Sequence, residues 1–316
     1  MAFYQSKDRL ILCKKESSYG TDANPAATDA LFVRSIEIEP LQADEVEREV
    51  IRGYGGNYDV ILANQRAAIT LEVELAASGT AGTAPRWGPL FEACGHSETI
   101  SAGTSVTYAP VGDDFASTTI EYYVRKGSNN TLLHKLTGCR GSFSINCEVS
   151  SIPTITFTMV GIYNAPVDGA DVTPTYSNQA APTIFNKANT TSFTLMGFAA
   201  AMQSYSFDQA QNTIYRELVG GTKEVLTPDR RPSGTAVIEA PDLDDHDYFA
   251  DATGTSTGTN TFQQGQSAGN IVTWSAPQTD ISTPSYSDSD GIQMLNIPFR
   301  ATPTTSGNDE YSLVTT

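Results

Sequence analysis

Residues 35–56 read SIEIEPLQADEVEREVIRGYGG, and residues 204–221 read SYSFDQAQNTIYRELVGG. Both open on apolar and polar residues in alternation, the period of a strand with one dry and one wet face. A polar stretch follows. Then Arg-Glu precedes an aliphatic residue: Arg48, Glu49 and Val50 in the first segment, Arg216, Glu217 and Leu218 in the second. A chain that repeats itself over this distance carries the same supersecondary unit twice.

The echo extends outward. RAAITLEVELA at 66–76 matches RPSGTAVIEAP at 231–241, which sets Thr70 against Thr235, Val73 against Ile238 and Glu74 against Glu239. A short helix is expected next in each half, in PRWGPLFEACG from Pro85 and in DLDDHDYFADATG from Asp242. Each holds an aromatic in mid-segment and stops at a Gly suited to a left-handed C-cap. VTYAP from Val106 is then matched by VTWSAP from Val272. Because the order is kept, the chain reads as two copies of one fold. The expected division is an N-terminal arm at 1–30, a first β domain at 31–165, a linker at 166–185, a second β domain at 186–302 and a C-terminal tail at 303–316.

Within ITLEVEL, Ile69, Leu71, Val73 and Leu75 fall on one face and Thr70, Glu72 and Glu74 on the other. FVRSIEIE likewise puts Glu37 and Glu39 on its wet side. Two hairpins are expected, STTIEYYVRK with LLHKLTG around GSNN at 127–130, and SFSINCEV with TITFTMVG. The fold class that results is mainly β: two tandem antiparallel β-sandwich or half-barrel domains, each with one short flanking helix and one long projecting loop. Those loops are 42–65 and 209–230, with Gly53, Gly55, Gly56, Gly220 and Gly221 to bend their tips. Loops of such length inside a domain usually have a function. Candidate contacts to neighbouring subunits are Arg48, Glu49, Arg52, Tyr54 and Tyr58 in one, and Arg216, Glu217 and Arg230 in the other.

The chain of 316 residues has 36 Asp and Glu against 19 Lys and Arg, a net charge of -17. Such a surface repels a phosphate backbone, because binding DNA requires Lys and Arg to displace counterions. Cys13, Cys94, Cys139 and Cys147 form no C-x-x-C pair and have no His at ligand spacing, so buried reduced thiols are expected. Asp242, Asp244, Asp245, His246 and Asp247 lack the Gly and spaced Glu of a calcium loop and fit an acidic helix N-terminus. His96, His134 and His246 have no nucleophile or carboxylate at a recognised spacing, and no phosphate-binding or dinucleotide motif occurs. No catalytic residue, metal or cofactor is therefore expected. No apolar run approaches the roughly 20 residues that cross a bilayer, and the N-terminus lacks the pattern of a secretory signal. Neither membrane binding nor export is expected.

The arm KKESSYGTDANPAATDALFV, the unit SIEIEPL, RGYGGN, RAAITLEVEL and the helix RWGPLFEACG together resemble the major tail tube protein of long-tailed, siphovirus-type bacteriophages. The resemblance implies a sandwich of two antiparallel sheets whose inner strands join around a central channel, in rings stacked through long loops and terminal arms. Most such proteins carry one copy and form hexamers; two copies per chain imply a trimer with pseudo-sixfold symmetry. It also implies, as partners, the tape measure, tail terminator and distal tail proteins, with double-stranded DNA passing unbound and assembly in the host cytoplasm. Glu37, Glu39, Glu72, Glu74 and Glu239 become candidates to line the channel, and Tyr19, Gly20, Asp22 and Pro25 candidates in an arm that orders on a neighbour. The alternative is a recognition module, a tail-tip or capsid decoration or a carbohydrate-binding β-sandwich, with Tyr19, Tyr54, Tyr58 and Trp274 as ligand platforms.

Overall fold

Alternation fixes the central strands. Ala67, Ile69, Leu71 and Val73 are buried, while Ala68, Thr70, Glu72 and Glu74 between them keep solvent contact. The computed structural model, which describes residues 4–126 and 131–316, repeats this pattern in strand after strand. In chain order they are β1 (Arg9–Lys15), β2 (Ala30–Leu31), β3 (Ser35–Glu47), β4 (Val60–Glu74), helix α1 (Gly88–Ala93), β5 (His96–Ser101), β6 (Ser105–Pro110), β7 (Thr118–Arg125), β8 (Thr131–Glu148) and β9 (Thr154–Tyr163). There follow β10 (Val167–Gly169), β11 (Thr190–Thr194), β12 (Met202–Asp208), β13 (Ile214–Glu217), β14 (Lys223–Leu226) and β15 (Ser233–Glu239). Helix α2 (Tyr248–Thr253), β16 (Gly258–Gln264), β17 (Val272–Ile281), β18 (Ser285–Ser289), β19 (Ile292–Ala301) and β20 (Ser312–Thr315) complete the chain. The protein is mainly β and antiparallel, a sandwich and not a closed barrel.

One layer is a single sheet running through both halves in the order β3-β4-β9-β8-β12-β15-β19-β18. The seam between halves is the pairing of β8 with β12, where Glu148 lies opposite Ser204 and Ser144 opposite Asp208. The other layer is in two pieces, β2-β1-β7-β8-β10 and β11-β16-β17-β20-β6-β5. The aromatic core lies between the layers, with Phe91, Phe143, Phe157, Phe207, Trp274 and Tyr311 all buried.

Long β8 belongs to both layers, pairing with β7 up to Cys139 and with β12 from Ser144. Such corners need a bend or bulge. Here the register shifts between Thr137 and Arg140, and Gly138 turns with φ +60° where a Cβ would come within 2.8 Å of the Tyr19 ring. In the second half β17 does the same, pairing with β16 and then with β19.

Register agrees between the echoing segments. Glu37 opposes Thr70, which opposes Thr158; Ser206 opposes Thr235, which opposes Pro298. The triplets at Val106 and Val272 behave differently: β6 and β17 flank β20 in one sheet, so Tyr108 and Trp274 meet Leu313 from either side. By its pairings β17 corresponds to β8, and the hairpin β5–β6 is additional to the first half. Both expected helices form. Gly95 adopts the left-handed φ of +79°, but Gly254 after α2 sits at φ -85°.

The terminal segments depart from the sequence reading. Leu10, Ile11, Leu12 and Cys13 are fully buried in β1, which is paired on both edges; Ile11 and Cys13 face the main core and Leu10 and Leu12 a second cluster with Tyr123 and Leu133. A continuous apolar run marks a strand buried on both faces, so this part of the segment 1–30 is core and not arm. The tail at 303–316 contains β20, with Tyr311 and Leu313 buried. Linker residues lie against the first half: Gln179 accepts the Phe32 N–H at 2.6 Å and donates to the Ala30 carbonyl at 3.1 Å. Residues 127–130, read as a turn, lie outside the described residues.

Candidate assembly surfaces

Three surfaces stand out, and the first is the exposed face of the eight-stranded sheet. A row of side chains crosses seven of its eight strands, from the β3 edge to β19: Ser35, Glu72, Thr156, Ser144, Asp208, Ser233, Arg300. The neighbouring row runs Glu74, Thr154, Asn146, Ser206, Thr235. Glu37, Glu39, Glu72, Glu74 and Glu239 all project from this face, the odd or even phase of each strand deciding the side. Glu72 accepts the Ser35 hydroxyl at 3.2 Å and has the Arg34 guanidinium at 3.7 Å. The sequence reading missed Glu148 and Asp208, exposed on the same face, though the alternation in SFSINCEV and SYSFD was the signal for both. The face is rich in hydroxyls and carboxylates and poor in cations, with Arg300 at one end and Val237 and Pro298 among its apolar positions in the second half. A concavity over the seam is lined by Ser144, Asn146, Ser206, Asp208 and Ser233.

The second surface is the far half of the β3–β4 hairpin. Its strands stay paired out to Glu47 and Val60, with the Arg48 N–H donating to the Asp59 carbonyl at 2.9 Å. Val46, Val50, Ile51, Val60, Ile61 and Leu62 are exposed there, Ile51 completely. Exposed apolar patches of this kind are characteristic of interaction surfaces, which makes the ribbon a candidate contact. At the tip the Arg52 guanidinium lies 4.8 Å from the Tyr58 ring and 5.4 Å from the Tyr54 ring. Glu49 is exposed beside them.

The counterpart in the second half folds back. Val225 of β14 is buried, and its carbonyl accepts from Arg140 at 2.8 Å. Glu217 pairs with Lys223 across the hairpin at 3.3 Å, and Arg216 lies opposite Glu224. Leu218 and Val219 are left exposed at the turn. Arg230, expected at a subunit contact, is committed inside the chain, its side chain 13% exposed. It donates to the Val111 carbonyl at 2.6 Å, to Asn308 at 2.7 Å and to Glu310 at 3.1 Å.

The third surface, the segment from Glu16 to Pro25, is closed onto its own subunit. The Tyr19 hydroxyl accepts the Val225 N–H at 2.6 Å, and the Arg140 guanidinium covers its ring at 4.6 Å. Gly20 N–H donates to Glu16 at 2.8 Å, Asp22 pairs with Lys135, and the chain turns through Pro25, which keeps partial exposure. Tyr19 is therefore no ligand platform, and neither is Trp274, which is wholly buried. Asp247 caps α2 by accepting from the Phe249 and Ala250 amides, and His246 bonds Asp251 at 2.8 Å, so the acidic run ends a helix. The four cysteines are free and buried, and burial pushes the Cys13 thiol up to about 12.

Comparison with curated proteins finds no match to the chain. The family model described as phage tail tube protein, in contrast, matches residues 6–301. That span holds every surface described above, and it takes in the eight-stranded sheet from one edge to the other. The chain is thus a structural component of the virion tail and belongs to the phage tail tube protein family.

Proposed function

We propose that copies of this chain close into rings that stack into a hollow tail, with the eight-stranded sheet facing the channel and genomic DNA passing along it. The carrying observation is that sheet: one continuous face, rich in hydroxyls and carboxylates, spans both halves. A negative wall keeps a phosphate backbone from adhering. Stacked rings would meet through the apolar ribbon of β3 and β4.

The stagger of the sheet supports closure. The row that enters the first half at Ser35 enters the second at Asp208, four residues beyond Ser204, the counterpart of Ser35. A rise of about 3.3 Å per residue and a strand spacing of about 4.8 Å convert this stagger into a tilt of about 35°. Closed barrels tilt by about 35–45°. The matching registers of the two halves support a duplicated unit, and hence a ring of three chains with pseudo-sixfold symmetry, a hexamer being the alternative. Negative-stain microscopy of the concentrated protein tests this. Hollow tubes with threefold axial symmetry are expected; discrete particles at every concentration would overturn it.

A further inference from the structure

The seam inside the chain is a template for a seam between chains. We propose that the outer edge of β18 pairs with β3 of a second copy in one register: Ser289 opposite Ser35, Ser287 opposite Glu37 and Ser285 opposite Glu39. This rests on the ring reading and specifies its contact residue by residue.

The register follows from counterparts. Ser35 opposes Glu72, which opposes Thr156, which opposes Ser144; Ser204 opposes Val237, which opposes Asn296, which opposes Ser285. Asn146 opposes Thr154 as Ser287 opposes Met294. Thus β3 corresponds to β12, and β18 to the last residues of β8. Inside the chain those elements join with Glu148 opposite Ser204, Asn146 opposite Ser206 and Ser144 opposite Asp208. Exchanging each residue for its counterpart yields the proposed pairs.

The backbone is poised for it. In an antiparallel strand alternate residues turn both their N–H and C=O to opposite neighbours. At the internal seam the Val149 N–H donates to Gln203 at 3.0 Å and the Gln209 N–H to Phe143 at 3.1 Å, so odd-numbered residues bond across it. The bond from Leu75 to Pro153 at 2.9 Å sets the same phase in β4, which leaves Ile36 and Ile38 of β3 pointing outward. The bond from Ala240 to Gln293 at 3.1 Å likewise leaves Tyr286 and Asp288 of β18 pointing outward. Among the described residues no strand lies beyond either edge; the Ile36 carbonyl meets the Arg9 guanidinium at 3.5 Å, the limit of a hydrogen bond. An open edge is a template for another chain. Tyr286 is 61% exposed beside Phe249, and the pairing lays it over Ile38. No like charges fall opposite one another.

Cysteine pairs test the register, since the four native cysteines are buried. Proposed partners are non-hydrogen-bonded pairs with Cα atoms about 4.5 Å apart, within disulfide reach, whereas diagonal neighbours at about 7–8 Å are beyond it. Chains bearing Glu37→Cys are mixed with chains bearing Ser287→Cys, assembled, oxidised and run on a non-reducing denaturing gel. A linked dimer is expected, with at least tenfold less from Ser35→Cys mixed with Ser287→Cys or from Glu39→Cys mixed with Ser287→Cys. If the Glu37 substitution blocks assembly, Ser35→Cys with Ser289→Cys, nearly isosteric, should link as efficiently. Rings that form but link through a diagonal pair, or through neither, would overturn the register and leave the ring standing. A wild-type chain that never assembles would remove both.

Discussion

Glu16 fastens the corner of β8 from the other end of the domain: its Oε1 accepts the Gly138 N–H at 2.7 Å. The same carboxylate takes the Thr119 hydroxyl at 2.8 Å, the Ser117 hydroxyl at 2.6 Å and the Gly20 N–H at 2.8 Å. Glu16→Ala strands these buried donors, each costing about 1–3 kcal/mol. A loss of ~3 kcal/mol or more is expected in urea melts, with Glu16→Gln intermediate. A wild-type midpoint in the alanine variant would show that the corner is held elsewhere.

His96 makes stability pH-dependent. Burial pushes its imidazole down to about 3, with Nδ1 3.0 Å from the Phe91 carbonyl and Nε2 3.1 Å from the Tyr311 hydroxyl. The unfolded chain, with a histidine value of about 6.5, therefore binds the proton first. The contribution is complete above that value and is lost as pH falls toward the folded one. Between pH ~7 and pH ~5 the wild type should lose ~2 kcal/mol more than His96→Gln does.

Removing β1 should abolish the fold. Leu12→Ala alone should cost about 2–5 kcal/mol, the range for a buried leucine. Deleting residues 1–15 should erase the cooperative thermal transition. A truncated chain that melts like the full one would restore the arm reading.

The β3–β4 ribbon should behave oppositely. Val50→Ser with Ile51→Ser changes side chains that solvent already surrounds, so monomer stability should move by less than about 0.5 kcal/mol. Tubes should become short or absent in electron micrographs. Full-length tubes from this variant would place the ring contact elsewhere.

Glu74→Lys with Glu239→Lys reverses charge at corresponding positions of the two halves. If the sheet lines the channel, assembled tubes should retain labelled DNA at low salt and release it at high salt. Tubes that hold no DNA under either condition would put this face on the outside.

Much of the architecture is legible in the sequence because one-sided burial writes itself as alternation. Glu72 and Thr70 beside Leu71 and Ile69 leave no other strand phase, and the same holds for SYSFD at β12. Local signals also suffice for both helices. What escapes is decided by partners far along the chain. Residues 10–13 are too few to distinguish a two-sided core strand from an apolar patch before a turn-rich arm until β2 and β7 are seen beside them. Arg230 looks like any loop cation, and it is Val111 together with the return of residues 308–310 that commits it. The two projecting loops look alike in sequence, yet one folds back because Arg140 reaches the Val225 carbonyl.

The position of β20 bears on how a subunit is made. Its Leu313 sits between Tyr108 and Trp274, so one short strand latches the outer layer of the first half to that of the second. Translation delivers it after every strand it joins. Until Ser312–Thr315 are in place the facing edges of β6 and β17 stay open, and it is the β8–β12 seam of the other layer that joins the two halves.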